Sequence, residues 1–600
     1  MAQTVGDELV ARLREWGIAR IYGFPGDGIN GILGALRRAD NTPQFVQTRH
    51  EEMASFMACA HAKFTGEVAV CMATSGPGAI HLLNGLYDAK LDHQPVVAIV
   101  GQTFANVMGG DQQQEVDLLS LYKDVAGAYV QQVNVPSALQ HCLDRALRIA
   151  AAERTVTCVI IPADVQDMKA EQQAQSLKSV HTGIGFVTDR GLPATADIQS
   201  AAAVLNSGQR VAILVGAGAL DATDEVLQVA DTLGAGIAKA LLGKAAIPDD
   251  VPYCTNSIGL LGTKPSWDMM QEADTLFVVG SSFPYANFLP PIGQARGVQI
   301  DRSARMLSLR YPMEVNLLGD SRATLEELLP LLKRNQDRSF QERIIRNVAN
   351  WWRLMDDRGE PEDRDDHGVD RIRPQALFAA LSRHLPDNAI VSSDSGTAAG
   401  WFARHVRMRR GMKASLSGNL ATMVPGVPYA IAAKFAYPDR VAVGTIGDGA
   451  MQMGGMAELL TAAKYYRTWA DPRMVILILN NEDLNQVTWE QRAMAGDPRF
   501  EASQRVPYVK FDEYARLIGL GGVKVDRASQ IEDAMAQAFA ADRPFVIDAM
   551  TDPEEPPLPP HITFKEARSL THSFLEAPGE GLPGVVNAVR EKIDEFMPGR

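Results

Sequence analysis

The chain has 600 residues, enough for about three to four domains of ordinary size. Its 46% hydrophobic and 22% charged residues, with glycine and proline scattered, are those of a globular protein and exclude collagen-like or wholly disordered chains. A net charge of −14 without a basic tract excludes a nucleic-acid binder, because phosphate contacts need a basic face.

In chain order, Thr4 with Asp7 predicts a capping box, followed by Leu9, Val10, Leu13 and Trp16 on one helical face. The start MAQTVGDELVARLREWG lacks the apolar core of a signal peptide and no apolar run is long enough for a bilayer, so a cytoplasmic protein is expected. IYGFPG reads as a strand ending in a turn. Val68 to Ala73, Val96 to Val100 and Val156 to Ile161 read as further strands between segments of helical length, a parallel sheet wrapped by helices. The polar stretch Lys169 to Thr182 is predicted to be a surface linker. A second α/β unit opens at the strand Val211 to Val215, and the charged segment Asp356 to Asp370 is predicted to be a second linker. Ile390 to Ser392, Val441 to Thr445, Val475 to Leu479 and Phe545 to Ala549 give a third alternation, and PEEPPLPP breaks regular structure before a tail. The expected architecture is α/β with three doubly wound parallel sheets, over 1–180, 190–340 and 365–550, with a tail over 551–600. Cys59, Cys71, Cys142, Cys158 and Cys254 lack CxxC spacing and are expected as reduced core thiols.

The sharpest local motif is TIGDGAMQ, where a strand is predicted to end at Gly447, Asp448 and Gly449; Asn481 follows at the end of the strand MVILILNN. Both residues then sit at the carboxyl ends of parallel strands, where ligands bind, and the glycines let a phosphate approach the backbone. One carboxylate with amide and backbone oxygens suits Mg²⁺ shared with substrate phosphates. In the first unit FVQTRHEE is predicted to place Glu51 at a strand end, and TSGPGAIHLLNGLYDA is a Gly/Pro turn running into a helix.

RHEEMASFMA, SGPGAIHLLNGLYDAKLDHQPVVAIVGQ, SGNLATM, GDGAMQM and LNN occur here in the order found in the thiamine-diphosphate enzymes of the pyruvate oxidase and acetolactate synthase superfamily, which the chain resembles over nearly its whole length. The resemblance implies pyrimidine-binding, FAD-type middle and diphosphate-binding domains. Glu51 resembles the glutamate that hydrogen-bonds the cofactor's aminopyrimidine, a role suited to a carboxylate shielded from water. Asp448 and Asn481 resemble the Mg²⁺ ligands, with the backbone carbonyl of Asp483 as the third protein oxygen. Gly396 and Thr397 resemble diphosphate contacts, alongside Gly447 and Gly449. Met423 resembles the apolar residue that bends the cofactor, with Val487 nearby. His81, Gln114 and Glu490 match polar active-site positions.

In the middle unit VAILVGAG supplies Gly216 and Gly218, which serve close packing as readily as phosphate binding. Ser282, Phe283 and Asp301 fall in segments similar to the flavin-binding stretches of pyruvate oxidases, so FAD is expected. Gln113 and Gln486 stand where relatives carry aromatic or apolar residues, and Asn485 where they tend to have glycine, which implies a more polar pocket. The spacing between Asp448 and Asn481 is longer than usual, with the excess near RTWADPR read as a surface turn. The tail is similar to that of quinone-dependent pyruvate dehydrogenases. Its stripe Val585, Val586, Val589, Ile593, Phe596 and Met597 is expected to pack on the protein body, with weak peripheral contact at the inner face of the membrane as the rival reading. The implied activity is decarboxylation of a 2-oxo acid such as pyruvate by a homodimer or homotetramer, with FAD passing electrons to quinone or oxygen. The alternatives are an acetolactate synthase-like carboligase with a structural flavin or none, and a non-catalytic binding paralogue.

Overall fold

The computed structural model of the chain describes residues 3–171, 178–186, 191–361 and 371–557, with 559, 561, 566, 568–570, 572 and 573 beyond them. The capping box forms: Thr4 Oγ1 accepts from the Asp7 amide at 3.1 Å and Asp7 Oδ2 accepts from the Thr4 amide at 2.9 Å. The helix Val5–Glu15 that it opens buries Val5, Leu9, Val10 and Leu13.

Three six-stranded sheets follow one another along the chain. The first holds β1 (Arg20–Gly23), β2 (Gln44–Gln47), β3 (Ala69–Ala73), β4 (Val96–Gln102), β5 (Val130–Gln132) and β6 (Val156–Pro162), in the order β2-β1-β3-β4-β6-β5. The second holds β7 (Val211–Val215), β8 (Gly236–Lys239), β9 (Cys254–Ser257), β10 (Thr275–Val279), β11 (Arg296–Asp301) and β12 (Val315–Leu318), ordered β12-β11-β10-β7-β8-β9. The third holds β13 (Ile390–Ser393), β14 (Lys413–Ser415), β15 (Ala442–Gly447), β16 (Met474–Asn480), β17 (Gly521–Val525) and β18 (Phe545–Met550), ordered β14-β13-β15-β16-β18-β17. The sheets are parallel, as in the register Tyr22 with Val46 on one side and Cys71 on the other. Strands β3, β4, β6, β7, β10 and β16 are buried at every position, the pattern of parallel strands covered on both faces. Strand order reverses between β1 and β3, between β7 and β10, and between β13 and β15. Each reversal opens a crevice at strand carboxyl ends, where ligands of such sheets bind.

The chain divides into two compact units. One comprises Met1–Thr188, Leu416–Gly444 and Ala450–Met474; the other comprises Asp189–Ser415, Thr445–Gly449 and Val475–Arg600. Within the first, Lys63 from the helix Glu51–Thr65 is buried beneath the helix Leu83–Leu91. Its ammonium donates to Asp92 at 2.7 Å, to the Leu416 carbonyl at 2.7 Å and to the Tyr429 hydroxyl at 2.8 Å, with Asp88 at 3.4 Å. Tyr429 in turn donates to Asp88 at 2.5 Å. Burial opposes the Lys63 charge, but the two carboxylates outweigh it and hold its pKa above the ordinary lysine value.

Two expectations change. The segment predicted to be a linker from Asp356 begins inside the helix Ser339–Arg358, because Phe340, Ile344, Val348, Trp351 and Met355 keep a helical apolar stripe running up to the charges. The turn near RTWADPR lies at the surface as expected, with Arg467, Thr468 and Ala470 exposed, and is anchored by one side chain. Trp469 is buried, with the Phe435 ring at 6.0 Å and the Lys434 ammonium 5.7 Å from its own ring. Glu51 does not end a strand, as described below. All five cysteines are free and buried. Residues 172–177 of the first linker, 362–370 of the second and the tail stripe from Val585 to Met597 lie outside the described residues. Among the described residues no helix is long and apolar enough to cross a membrane.

A buried acid in the first unit makes stability pH-dependent. Glu458 is fully buried and Oε2 accepts from the Arg49 amide at 3.1 Å. Burial pushes its pKa up to about 7 from 4.5. The folded state therefore holds a proton that the unfolded chain has released, and stability falls as pH rises from about 4.5 to 7, by up to about 3 kcal/mol. Glu458→Gln should remove this slope: the variant is expected to gain melting temperature over the wild type at pH 8 but not at pH 4.5, measured by thermal denaturation. An equal difference at both pH values would contradict it.

Candidate active site

In the first unit the β1/β3 crevice is shaped by glycines that sit directly against the turn after β3. The Gly28 amide donates to Thr74 Oγ1 at 2.9 Å, and a Cβ on Gly28 would meet Ser75 Oγ at 2.6 Å. Strand β2 stops at Gln47, and Glu51 opens the helix Glu51–Thr65. The change has a local cause. His50 is extended and N-caps the helix, its Nδ1 accepting from the Glu52 amide at 3.2 Å, so the chain turns before the predicted strand end.

Glu51 is 7% exposed, with Oε2 3.0 Å from His81 Nδ1. A Cβ on Gly78 would lie 2.8 Å from Thr74 Cγ2 and 3.0 Å from the other Glu51 oxygen, so the glycine lets the carboxylate and the turn after β3 approach closely. The half-exposed His81 ring lies tilted against His50, centroids 4.3 Å apart. Gln114 Oε1 accepts from Ser75 Oγ at 3.0 Å, its backbone in the left-handed region at φ 64°. Gln113 beside it is exposed.

Met423, half-buried, belongs to the same unit. Its segment is tied down at two points: Asn84 Nδ2 donates to Glu52 Oε1 at 2.5 Å and to Thr422 Oγ1 at 3.1 Å, and Asp92 accepts the amides of Gly418 and Asn419, both at 2.8 Å. The tethered segment carries Ala421 at φ 53° and Val424 at φ 88°, conformations that cost a β-branched residue most and that cluster at ligand clamps. Sequence reasoning missed His50, Asn84, Lys63 and Asp92. Asp88 and Asp92 inside an apolar helix, LYDAKLD, were the available signal, since buried acids need a cation.

In the second unit the β13/β15 crevice gathers the other expected residues. Gly396, at φ 77°, N-caps the helix Thr397–His405 without a side-chain cap; the Ala399 amide donates to the Gly396 carbonyl at 3.1 Å, which leaves the Thr397 and Ala398 amides to an anion. A Cβ on Gly396 would meet only Gln486 Cβ, at 3.7 Å, and one on Gly447 would meet nothing within 4 Å. Asp448 follows β15 directly. Its carboxylate accepts the amides of Gly449 at 2.8 Å, Asn481 at 3.0 Å and Glu482 at 2.6 Å, so Asp448 and the residue after β16 are brought together as expected. Burial nevertheless pushes Asp448 up to about 7 despite these amides. The Asp483 carboxylate is committed elsewhere: it pairs with Arg499 at 3.0 Å and accepts from Thr488 at 2.9 Å and Asn485 at 3.1 Å. That commitment leaves its backbone carbonyl as the oxygen it can offer a cation.

Val487 is half exposed, and Gln486 Nε2 donates to the exposed Glu490 at 2.8 Å. Asn485, the departure from glycine, is buried and donates to the Pro553 carbonyl at 2.8 Å, fastening this helix to the chain beyond β18. A buried anion that resists ionisation, an amide side chain and open glycine backbone beside a helix N-terminus fit a divalent cation with a diphosphate.

The middle sheet's crevice is built differently. Gly216 and Gly218 face Gly280, whose carbonyl oxygen would lie 2.4 Å from a Cβ on Gly216, so these glycines serve backbone packing. Phe283 is buried over Gly259, edge-on to Tyr285 at 5.7 Å, and the half-buried Asp301 accepts the Ser303 amide at 2.8 Å. Ser282, next to Phe283 in the chain, is half-buried. A narrow slot lined by Leu214, Phe283, Gln299, Arg310 and Met313 has a volume of about 10 Å³.

Comparison with known proteins agrees with this division. Family models of the thiamine pyrophosphate enzymes match in series: the N-terminal TPP binding domain over residues 3–121, the central domain over 198–328 and the C-terminal TPP binding domain over 394–549. The chain belongs to the thiamine-pyrophosphate enzyme family, in the pyruvate oxidase and acetolactate synthase superfamily. It is 35% identical to the Bacillus subtilis (strain 168) protein YdaP, whose name links it to thiamine pyrophosphate, over 96% of each chain. It is 29% identical to the pyruvate oxidase of Lactiplantibacillus plantarum over 92% of this chain and 89% of that one. It is 30% identical to the acetolactate synthase isozyme 2 large subunit of Escherichia coli (strain K12) over 93% and 98%.

Proposed function

We propose that this enzyme decarboxylates a 2-oxo acid such as pyruvate using thiamine diphosphate and Mg²⁺, with FAD passing electrons to quinone or oxygen. The observation that carries the thiamine part is the open backbone at Gly396 and Gly447 beside the buried Asp448 carboxylate. Bound there, thiamine diphosphate would supply the electron sink for loss of CO₂. Asp448, Asn481 and the Asp483 carbonyl would hold Mg²⁺, and the amides at Thr397 would take the diphosphate. Glu51 would hold a proton at the aminopyrimidine. His81, in contact with that carboxylate and half exposed, orients it and offers a route for protons. Met423 would support the cofactor's bend from its tethered, strained segment. Gln114 in the first unit, and Gln486 and Glu490 in the second, would each offer a polar side chain to the substrate, and a homodimer or homotetramer is the proposed assembly.

A second reading, carboligation of the acetolactate synthase kind, is favoured by one observation: the middle sheet's Gly216 and Gly218 are spent on packing against Gly280. The cofactors that copurify and anaerobic mixing with pyruvate separate the two. Bound FAD that loses its visible absorbance on mixing is expected for the oxidase; an unchanged flavin, or none, with a hydroxyketone product would turn the assignment to the carboligase. Purified protein that neither carries nor binds thiamine diphosphate would remove both.

A further inference from the structure

Two buried lysines in the second unit share one carboxylate. Lys239 Nζ donates to Asp249 Oδ1 at 2.6 Å and to the Ile247 carbonyl at 2.8 Å. Asp249 Oδ2 already accepts the Met408 amide at 2.8 Å, and Lys244 reaches it only at 3.4 Å. Lys244 is 1% exposed, so its ammonium needs other acceptors. It finds Asn256 Oδ1 at 2.7 Å and the carbonyl of Ala403 at 2.9 Å.

Ala403 lies in the last turn of the helix Thr397–His405, whose first turn follows the open Gly396. The same last turn is gripped by neighbours of Lys244. Ser257 Oγ donates to the Ala403 carbonyl at 3.0 Å. The Arg404 guanidinium donates to the carbonyls of Gly262 at 3.1 Å and Leu260 at 3.2 Å. A cation at the carboxyl end of a helix is favoured by the helix dipole, and one held without water there fixes that end strongly. At about 1.5 Å per residue the helix spans only about 13 Å, so a shift of its last turn moves its first.

We infer that Lys244 is a positioning residue for diphosphate binding: it anchors, from the middle of the chain, the far end of the helix that carries Gly396 and Thr397. The inference rests on the proposed function for the identity of the anion, and Lys239 supplies an internal control. Lys239 belongs to the same buried cluster but donates nothing to the helix.

The test compares full-length Lys244→Met and Lys239→Met with the wild type. It measures thiamine diphosphate affinity in Mg²⁺ by calorimetry, together with melting temperature. The expected result is that Lys244→Met weakens thiamine diphosphate by about tenfold while Lys239→Met, with a comparable loss of melting temperature, leaves affinity unchanged. Lys244→Arg should restore part of the lost affinity. Equal affinities in wild type and Lys244→Met, or equal losses in both lysine variants, would overturn the inference. If Lys244→Met does not fold, the milder Asn256→Ala, which removes one of the Lys244 acceptors, should weaken affinity by a smaller factor, and unchanged affinity there counts against the inference. Failure of the wild type itself to bind thiamine diphosphate would instead strike the proposed function.

Discussion

Glu51→Gln should lower kcat by about 10²- to 10⁴-fold, the range that a single proton-transfer group contributes, while leaving the melting temperature close to wild type. The amide keeps the shape of the carboxylate and can still meet His81 Nδ1, 3.0 Å from Glu51 Oε2, so the helix and the β1/β3 crevice lose nothing structural. What it loses is the negative oxygen that can hold and return a proton. Steady-state decarboxylation of pyruvate and of a wider panel of 2-oxo acids, with circular dichroism as the folding control, checks this. Activity within tenfold of wild type would take Glu51 out of the chemistry. Complete inactivity of the wild type over the whole panel would favour the non-catalytic reading.

The largest loss of stability is expected from Lys63→Met. The substitution leaves Asp88 and Asp92, both buried, facing each other without their ammonium. Removing one partner of a buried ion pair costs about 3 to 5 kcal/mol, because the remaining charge is not returned to water. For a chain of this size that corresponds to roughly 10 °C of melting temperature in the affected unit. The hydrogen bonds of Asp92 to Gly418 and Asn419 link this loss to the Met423 segment, so thiamine diphosphate affinity should fall with it. The double variant Lys63→Met with Asp88→Asn should recover part of the stability. No change in the melting temperature of Lys63→Met would mean that the network contributes nothing net.

The alternation of apolar runs with helical periodicity was enough to predict three doubly wound sheets, because buried parallel strands such as β6 and β16 read as unbroken Val/Ile/Leu stretches. Asp448 and Asn481 were legible for the same reason: each directly follows such a strand. Glu51 was placed one element too early because the histidine that caps its helix looks in sequence like any residue of a polar strand end. The grip on the Met423 segment was invisible, since Lys63, Asp92 and Asn84 lie more than 320 residues from the groups they hold. The packing role of Gly216 and Gly218 could not be separated from phosphate binding in sequence, because the fold alone brings Gly280 against them.

The first unit is discontinuous, and this bears on biosynthesis. Its opening 188 residues leave the ribosome about 230 residues before the segment beginning at Leu416 that completes it. At roughly 5 to 20 residues per second, Lys63, Asp88 and Asp92 wait on the order of tens of seconds for Tyr429 and the amides of Gly418 and Asn419. A gene fragment encoding the first 188 residues alone therefore leaves Lys63, Asp88 and Asp92 without these partners and is expected to be a poor choice for expression.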